Sequence, residues 1–295
     1  MTGLKEGDHL VGYGEVNTLD HVLFFTTQGT YGYTPVYEVE ESRWKEIGSH
    51  INSTIRISGE EKITDAFVLR SFATNAYMIS VTKNGLVKKT AVREYEVSRN
   101  NKTMSNMKLL DGDAVVKTMV AYAYDEILIA SKNGFMSRYP VSLIPETSPR
   151  SKGVKAMNLV LDEIVSACIS HGDASQLIVF TDQCQMKRIK LSDVDVTGRP
   201  TKGSMICKKV KSKPYQIAHI ALHDLNDELV IINEETQKIL AKDISLMSKD
   251  ATFSSPLHTT QDYYFLRTLA AVEQRELPAI QEEKQEFEEI ELFED

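Results

Sequence analysis

The stretch AYMISVTKNGLVKKTAV, residues 76–92, places an apolar run before an Asn-Gly pair and a second run after it. The first run is rich in β-branched and aromatic residues and is too short for a typical helix, so it predicts a strand. Asn-Gly accepts positive φ at both positions and predicts a tight hairpin between the two runs. Because successive residues of the first run are apolar, both faces of that strand are expected to be buried.

The same frame of apolar run, turn and second run occurs five times. We call the residue in the glycine position of each turn the anchor; successive anchors are 56, 49, 50 and 52 residues apart. The five anchors are Gly29, Gly85, Gly134, Cys184 and Thr236. Repeats of this length, built from short strands, predict an all-β, propeller-like fold of stacked blades. The opening segment GLKEGDHLV, residues 3–11, matches the closing part of a repeat, so we expect five to six blades.

Charge is distributed unevenly along the chain. Residues 76–215 carry 22 basic and 13 acidic side chains, a net charge of +9, although the whole chain has a net charge of −8. Residues 272–295 carry 2 basic and 10 acidic side chains. We therefore predict one folded domain over residues 1–271 and an acidic, disordered tail over residues 272–295. The basic centre predicts a polyanionic partner.

Several classes of function are disfavoured by the sequence. No apolar run is long enough to span a membrane, and the polar start MTGLKEGDHL does not resemble a signal peptide. Three widely spaced cysteines suit a reducing compartment and form no zinc pattern, so we expect a cytoplasmic location. His219 and His223 have no evident third metal ligand, and Cys184 has no neighbouring base. We predict neither a catalytic residue nor a metal site.

Basic residues recur at fixed distances from the anchors. Lys88 and Lys187 stand three residues past an anchor, and four residues past an anchor stand Lys89, Arg138 and Arg188. Adjacent strand residues point to opposite faces, so both sets reach water only on an outermost strand or near its end. The loops that follow add Arg150, Lys152, Lys155, Arg199, Lys202 and Lys208, with Arg99, Lys102 and Lys209 beside them. We predict that these cations form one continuous rim that contacts the phosphates of duplex DNA without reading its bases.

Two longer stretches carry a family resemblance. FTTQGTYGYTPVYEVEESRWKEIGSHI, residues 25–51, and SKNGFMSRYPVSLIPETSPRSKGVKAMNL, residues 131–159, resemble the C-terminal domain of bacterial type IIA topoisomerase A subunits. The resemblance covers roughly residues 4–267. It implies a β-pinwheel, a propeller-like disc of four-stranded blades that exchange strands, with DNA on its basic rim. The glycine- and arginine-rich box of the gyrase branch is absent, and SPRSKGVKA is only a degenerate relative of it, so the topoisomerase IV branch is favoured over gyrase.

The family resemblance also implies what the chain does not contain. The DNA-cleaving tyrosine of such enzymes lies in another region of the A subunit, and their ATPase is a separate B subunit. This domain is therefore expected to need no cofactor, while its parent enzyme would use ATP and Mg²⁺ elsewhere. The expected role is to bend and steer DNA for decatenation and relaxation during chromosome segregation. The alternatives are a DNA-wrapping domain of gyrase and a propeller that docks proteins.

Overall fold

The computed structural model describes residues 3–43, 45–59, 61–97, 102–172, 176–212, 214–232, 236–256, 264–269 and 271–276. Within these ranges the chain forms 22 strands and six 3₁₀ helices, and no α-helix. None of the helices in the described ranges has the length and apolar character needed to cross a membrane. The all-β prediction is therefore confirmed.

The strands are short and follow one another throughout the chain. In chain order they are β1 (Gly12–Tyr13), β2 (His21–Thr26), β3 (Thr30–Pro35), β4 (Ile63–Leu69), β5 (Tyr77–Thr82), β6 (Leu86–Ala91), β7 (Met104–Ser105), β8 (Val115–Ala121), β9 (Glu126–Ser131), β10 (Phe135–Pro140), β11 (Val154–Lys155), β12 (Ile164–Ser170), β13 (Gln176–Thr181), β14 (Gln185–Lys190), β15 (Ser204–Met205), β16 (Ile217–His223), β17 (Glu228–Ile232), β18 (Thr236–Leu240), β19 (Ser255–Pro256), β20 (Tyr264–Phe265), β21 (Arg267–Thr268) and β22 (Ala271–Val272). The 3₁₀ helices are Val36–Glu38, Ile51–Ser53, Val92–Tyr95, Val141–Leu143, Leu191–Asp193 and Ala241–Asp243.

The strands form blades, each centred on the hairpin around one anchor. Blade 1 has the order β7-β3-β2-β4, with β22 beside β4; blades 2, 3 and 4 have the orders β11-β6-β5-β8, β15-β10-β9-β12 and β19-β14-β13-β16. Blade 5 has the order β18-β17-β20. In blades 1 to 4 the two-residue outermost strand comes from the next repeat. We call β7, β11, β15 and β19 the exchanged strands, and this exchange confirms the β-pinwheel.

The C-terminal strands connect blade 5 to blade 1. Strand β21 pairs in parallel with β1, with Arg267 opposite Gly12. Strand β22 pairs in parallel with β4 and crosses the predicted domain boundary after residue 271. The pairing of β1 with β21 provides the incomplete sixth sheet expected from the opening segment. Most of the predicted acidic tail lies outside the described residues, so its disorder stays a prediction.

The hairpin turns share one backbone geometry. The anchors Gly29, Gly85 and Gly134 have φ of 71°, 93° and 89°, and Cys184 adopts φ 56° in the same position. Asn84, before its anchor, does not have positive φ, so the predicted hairpin is present but its turn uses positive φ at the anchor alone. The loop holds three residues between β5 and β6, and such loops need a left-handed residue only at the last position.

The hydrophobic core lies between neighbouring blades. Ile127 and Ile129 of β9 pack into the cluster shared with blade 2, whereas Leu128 and Ala130 of the same strand pack against blade 4. All four side chains are fully buried. The expectation that both faces of such a strand are buried is thus confirmed for β9, and the physical reason is that blade 3 lies between blades 2 and 4. The innermost strands surround a central cavity of about 1860 Å³.

Candidate nucleic-acid interface

Two of the cations predicted for the rim are buried between blades. Lys88 is 2% exposed and Lys187 is 0% exposed. Lys88 Nζ donates to the hydroxyl of Thr90, while Lys187 Nζ donates to three main-chain carbonyls within residues 248–251, at 2.8–3.2 Å. Burial lowers the pKa of each ammonium group to about 8. Their predicted place on an exposed rim is wrong, because the exchanged strand and the loop before it cover the outer side of each hairpin.

The cations four residues past the anchors hold the neighbouring repeat in place. Nε of Arg138 lies 2.8 Å from a carboxylate oxygen of Glu126, and its Nη1 donates to two carbonyls within residues 191–194. Arg188 makes corresponding contacts one repeat later. Lys89 is 8% exposed and donates to the main-chain carbonyl of Val141, in the 3₁₀ helix of the next repeat. These three residues therefore have structural partners, and their predicted place on an exposed rim is corrected in the same way.

A different set of lysines occupies equivalent, exposed positions. Lys102, Lys152 and Lys202 each lie two residues before an exchanged strand, on blades 1, 2 and 3, and all three are exposed. They are 50 residues apart in sequence. The buried Phe253 stands at the corresponding position on blade 4. All three are among the loop cations named from the sequence: Lys102 stands 17 residues past its anchor, and the other two stand 18 residues past theirs.

Main-chain hydrogen bonds join the exchanged strands into one band. Each bond connects the residue three positions past one exchanged strand to the loop that precedes the next exchanged strand. The three bonds run from Lys108 N to Ser151 O at 3.1 Å, from Asn158 N to Thr201 O at 2.8 Å, and from Lys208 N to Ala251 O at 3.3 Å. We call this band, residues 102–108, 150–158 and 199–209, the outer rim. Its lysines are consequently held at a spacing of one blade.

The other predicted loop cations also lie on the outer rim. Arg150, Lys155 and Lys208 are exposed, whereas Arg199 is half-buried and donates through Nη1 to the carbonyl of Lys155 at 2.8 Å. Arg199 therefore braces the loop as well as adding charge. Arg99 lies outside the described residues.

Few carboxylates neutralise this band. Within the described ranges, no ion pair involves Lys102, Lys152, Lys155, Lys202 or Lys208. Lys202 Nζ instead lies 4.5 Å from the ring centroid of Phe135, which Lys209 also approaches, at 5.7 Å. Such cation–π contacts orient an ammonium group without neutralising it. The outer rim thus presents a row of positive charges, unpaired within the described residues, to an external polyanion.

Comparison with known proteins identifies relatives over most of the chain. The family model described as DNA gyrase C-terminal domain, beta-propeller, matches residues 20–70, 76–121, 125–171 and 175–223. The A subunit of DNA topoisomerase 4 from Staphylococcus epidermidis is 29% identical over 262 residues, which is 88% of this chain and 33% of that protein. The corresponding protein of Staphylococcus aureus is 29% identical over 261 residues, covering 88% of this chain and 31% of its own length. The chain therefore spans about a third of the length of the curated relatives it matches.

Solved structures show the same fold. The C-terminal domain of DNA topoisomerase IV superimposes with a TM-score of 0.80 at 30% identity, covering 86% of this chain and 80% of that one. The DNA gyrase A C-terminal domain superimposes with a TM-score of 0.74 at 19% identity, covering 90% and 88%. The latter likeness supports the fold alone.

Proposed function

The chain belongs to the family of C-terminal domains found in the A subunits of topoisomerase IV and gyrase, and we propose that it binds duplex DNA along the outer rim, independently of sequence. The observation that carries the proposal is the repetition of Lys102, Lys152 and Lys202 at one position of three consecutive blades. Duplex DNA presents about one negative charge per ~1.7 Å of its axis, so a regular row of cations can follow its phosphates.

The proposed contact residues are the loop cations named from the sequence that lie within the described ranges. They are Lys102, Arg150, Lys152, Lys155, Arg199, Lys202, Lys208 and Lys209. Because the outer rim curves with the blade array, DNA that follows it must bend. Contacts to phosphates fix the position and curvature of the duplex and carry no direct base readout.

Within the family, we assign the chain to the topoisomerase IV branch. The missing gyrase box and the 30% identity to a topoisomerase IV C-terminal domain support that choice. In the full enzyme, the domain would steer DNA segments for decatenation and relaxation in the bacterial cytoplasm. Cleavage by the rest of the A subunit, and the use of ATP and Mg²⁺ with the B subunit, are parts of the same proposal. A wrapping assay on relaxed plasmid tests the branch: strong positive writhe would place the chain with gyrase instead.

The direct test compares two triple variants with equal changes in charge. The rim variant carries Lys102→Glu, Lys152→Glu and Lys202→Glu, and the control carries glutamate at three exposed lysines outside the outer rim, Lys5, Lys238 and Lys242. Fluorescence anisotropy with a labelled duplex at low salt should show affinity falling at least about 100-fold in the rim variant and much less in the control. Equal affinities in the two variants would refute the proposed interface, and a wild-type chain that binds no DNA would favour a protein-docking module.

A further inference from the structure

An apolar tip projects from the turn between β11 and β12. Val160 is 72% exposed and Leu161 is 99% exposed. Single exposed aliphatic residues are ordinary on protein surfaces, but these two are adjacent and stand at the end of the same turn. Neither side chain is buried by the fold to any great extent, so the packing of this domain does not explain the tip.

The backbone at Leu161 adopts a conformation that suits glycine. Leu161 has φ 50°, in the left-handed region that branched side chains rarely occupy. The matching turn of the preceding repeat has Gly112 there, with φ 73°. Each turn continues with an aspartate, Asp113 or Asp162, whose Oδ1 accepts from the N–H of the asparagine before an anchor. A glycine would thus serve the turn better, and a strained leucine with an exposed side chain is the kind of outlier that points to function.

The tip adjoins the outer rim. A small cavity of about 180 Å³ is bordered by Val160 together with Phe135, Lys202 and Lys209. The neighbouring Glu163 is neutralised by two lysines, whose Nζ atoms lie 2.8 and 2.9 Å from its oxygens. Oδ1 of Asp162 accepts from the main-chain N–H groups of Asn133, in the neighbouring hairpin turn, and of Glu163. The surroundings of the tip are therefore cationic, which fits a phosphate-bearing partner better than an apolar or basic one.

We infer that Leu161, supported by Val160, is a wedge that inserts between base pairs of duplex DNA held on the outer rim. This inference rests on the proposed function. Apolar side chains that enter a base step unstack it and kink the duplex, and pyrimidine–purine steps yield most easily. The wedge would fix a kink beside blade 3, at one end of the lysine row, and would supply bending that phosphate contacts alone do not.

Unstacking can be measured separately from binding. A duplex with 2-aminopurine at a TA step increases its fluorescence when that base is unstacked. Wild-type protein at saturation should raise the emission, and Leu161→Gly, which removes the side chain and its backbone strain, should abolish most of the rise. Its affinity at low salt should stay within about threefold, because the phosphate contacts remain. Leu161→Met keeps an apolar tip and should preserve most of the rise.

Leu19→Gly is the matched control, because Leu19 is also an exposed leucine in a turn, with 78% of its surface exposed. That turn precedes β2, so it lies at the end of the strand opposite to the anchor Gly29. The control variant should leave both affinity and fluorescence unchanged. Equal emission from DNA saturated with wild type or with Leu161→Gly would overturn the wedge while leaving the rim intact, and this is also the result expected if the tip docks a protein. Failure of the proposed function would appear differently, as unchanged affinity in the triple glutamate rim variant.

Discussion

Nη1 of Arg267 lies 2.6 Å from Oδ1 of Asp65, and this contact joins strand β21 to the inner strand of blade 1. Lys117 Nζ binds the same oxygen at 2.6 Å, and the N–H of Thr118 donates to the other oxygen at 2.8 Å. The Asp65 side chain is only 4% exposed. One buried carboxylate therefore links blade 1, blade 2 and the C-terminal strands that complete the array.

Asp65→Ala should destabilise the domain strongly. It leaves the mostly buried Lys117 and the exposed Arg267 without their counter-ion, and breaking a buried pair such as that of Lys117 typically costs about 3–5 kcal/mol. We expect a loss of about 3 kcal/mol in the free energy of unfolding, measured by urea denaturation followed by circular dichroism. Arg70→Ala is the control, because Arg70 and its partner Glu273 are both well exposed, and it should cost less than about 1 kcal/mol. Equal midpoints for the two variants would contradict this role of Asp65.

Comparing Gly134→Ala with Gly112→Ala should separate two reasons for glycine at an anchor, which are the positive φ and the lack of space for a side chain. A methyl group there would overlap the Sγ atom of Cys207, and φ is 89°. Gly112 has φ 73° with no atom within 4 Å of an added Cβ. Gly112→Ala should therefore cost only the backbone term, about 1–2 kcal/mol, whereas Gly134→Ala should cost about 1–3 kcal/mol more through overpacking.

Thermal denaturation of a second variant tests the steric part of that expectation. Adding Cys207→Ala to Gly134→Ala removes the clashing sulfur. The drop in Tm of the double variant should therefore be smaller than the sum of the drops caused by the two single changes. Strict additivity would show that the overlap is relieved by backbone movement and that the sulfur is not the cause.

The hairpins could be predicted from the sequence, but the outermost strands could not. The run around Gly85 contains a strand, a turn and a second strand within 17 residues, so local pattern suffices to predict it. The strand that covers it, Val154–Lys155, has two residues and comes from the next repeat. Two residues are too few to show the alternation of apolar and polar side chains that marks a strand. Nothing in the local sequence therefore indicated that a further strand would cover Lys88.

The loop cations were easier to place than the strand cations. Lys152 and Lys202 lie in irregular segments, where exposure does not depend on which neighbour covers a sheet face. The contact between Asp65 and Arg267 spans 202 residues and depends on how the ends of the array meet. The contact depends on how the C-terminal strands pack against blade 1 in three dimensions, and no periodic feature of the sequence indicates that packing.

Replacing each of the two buried lysines by methionine should affect stability differently at pH 7. Lys88 Nζ has one hydroxyl partner, so Lys88→Met removes a costly buried charge and should be neutral or stabilising. Lys187→Met deprives three carbonyls of their donor and should cost about 1–3 kcal/mol. Urea denaturation of both variants measures the difference, and equal effects would contradict the assigned partners.

The effect of Lys88→Met should also depend on pH. The folded pKa of Lys88 is lowered by burial to about 8 from an ordinary value of 10.5. At a pH between these two values, Lys88 binds more protons in the unfolded chain than in the folded one. Its contribution to the free energy of unfolding of the wild type therefore becomes more favourable as the pH rises. Any advantage of Lys88→Met should therefore be largest below about pH 8 and shrink towards pH 10. A constant difference between variant and wild type across that window would show that the pKa is not lowered.

The salt dependence of DNA binding should report how many rim lysines contact phosphates. Each phosphate contact contributes about 0.9 to the slope of log K against log salt concentration. Lys102, Lys152 and Lys202 changed together to Ala should thus make the slope shallower by about 2.7, whereas Ala at Lys5, Lys238 and Lys242 should change it by less than about 1. Anisotropy titrations over a series of salt concentrations give both slopes. Parallel lines for the two triple variants would mean that DNA follows another path, since only direct contacts release counterions in this proportion.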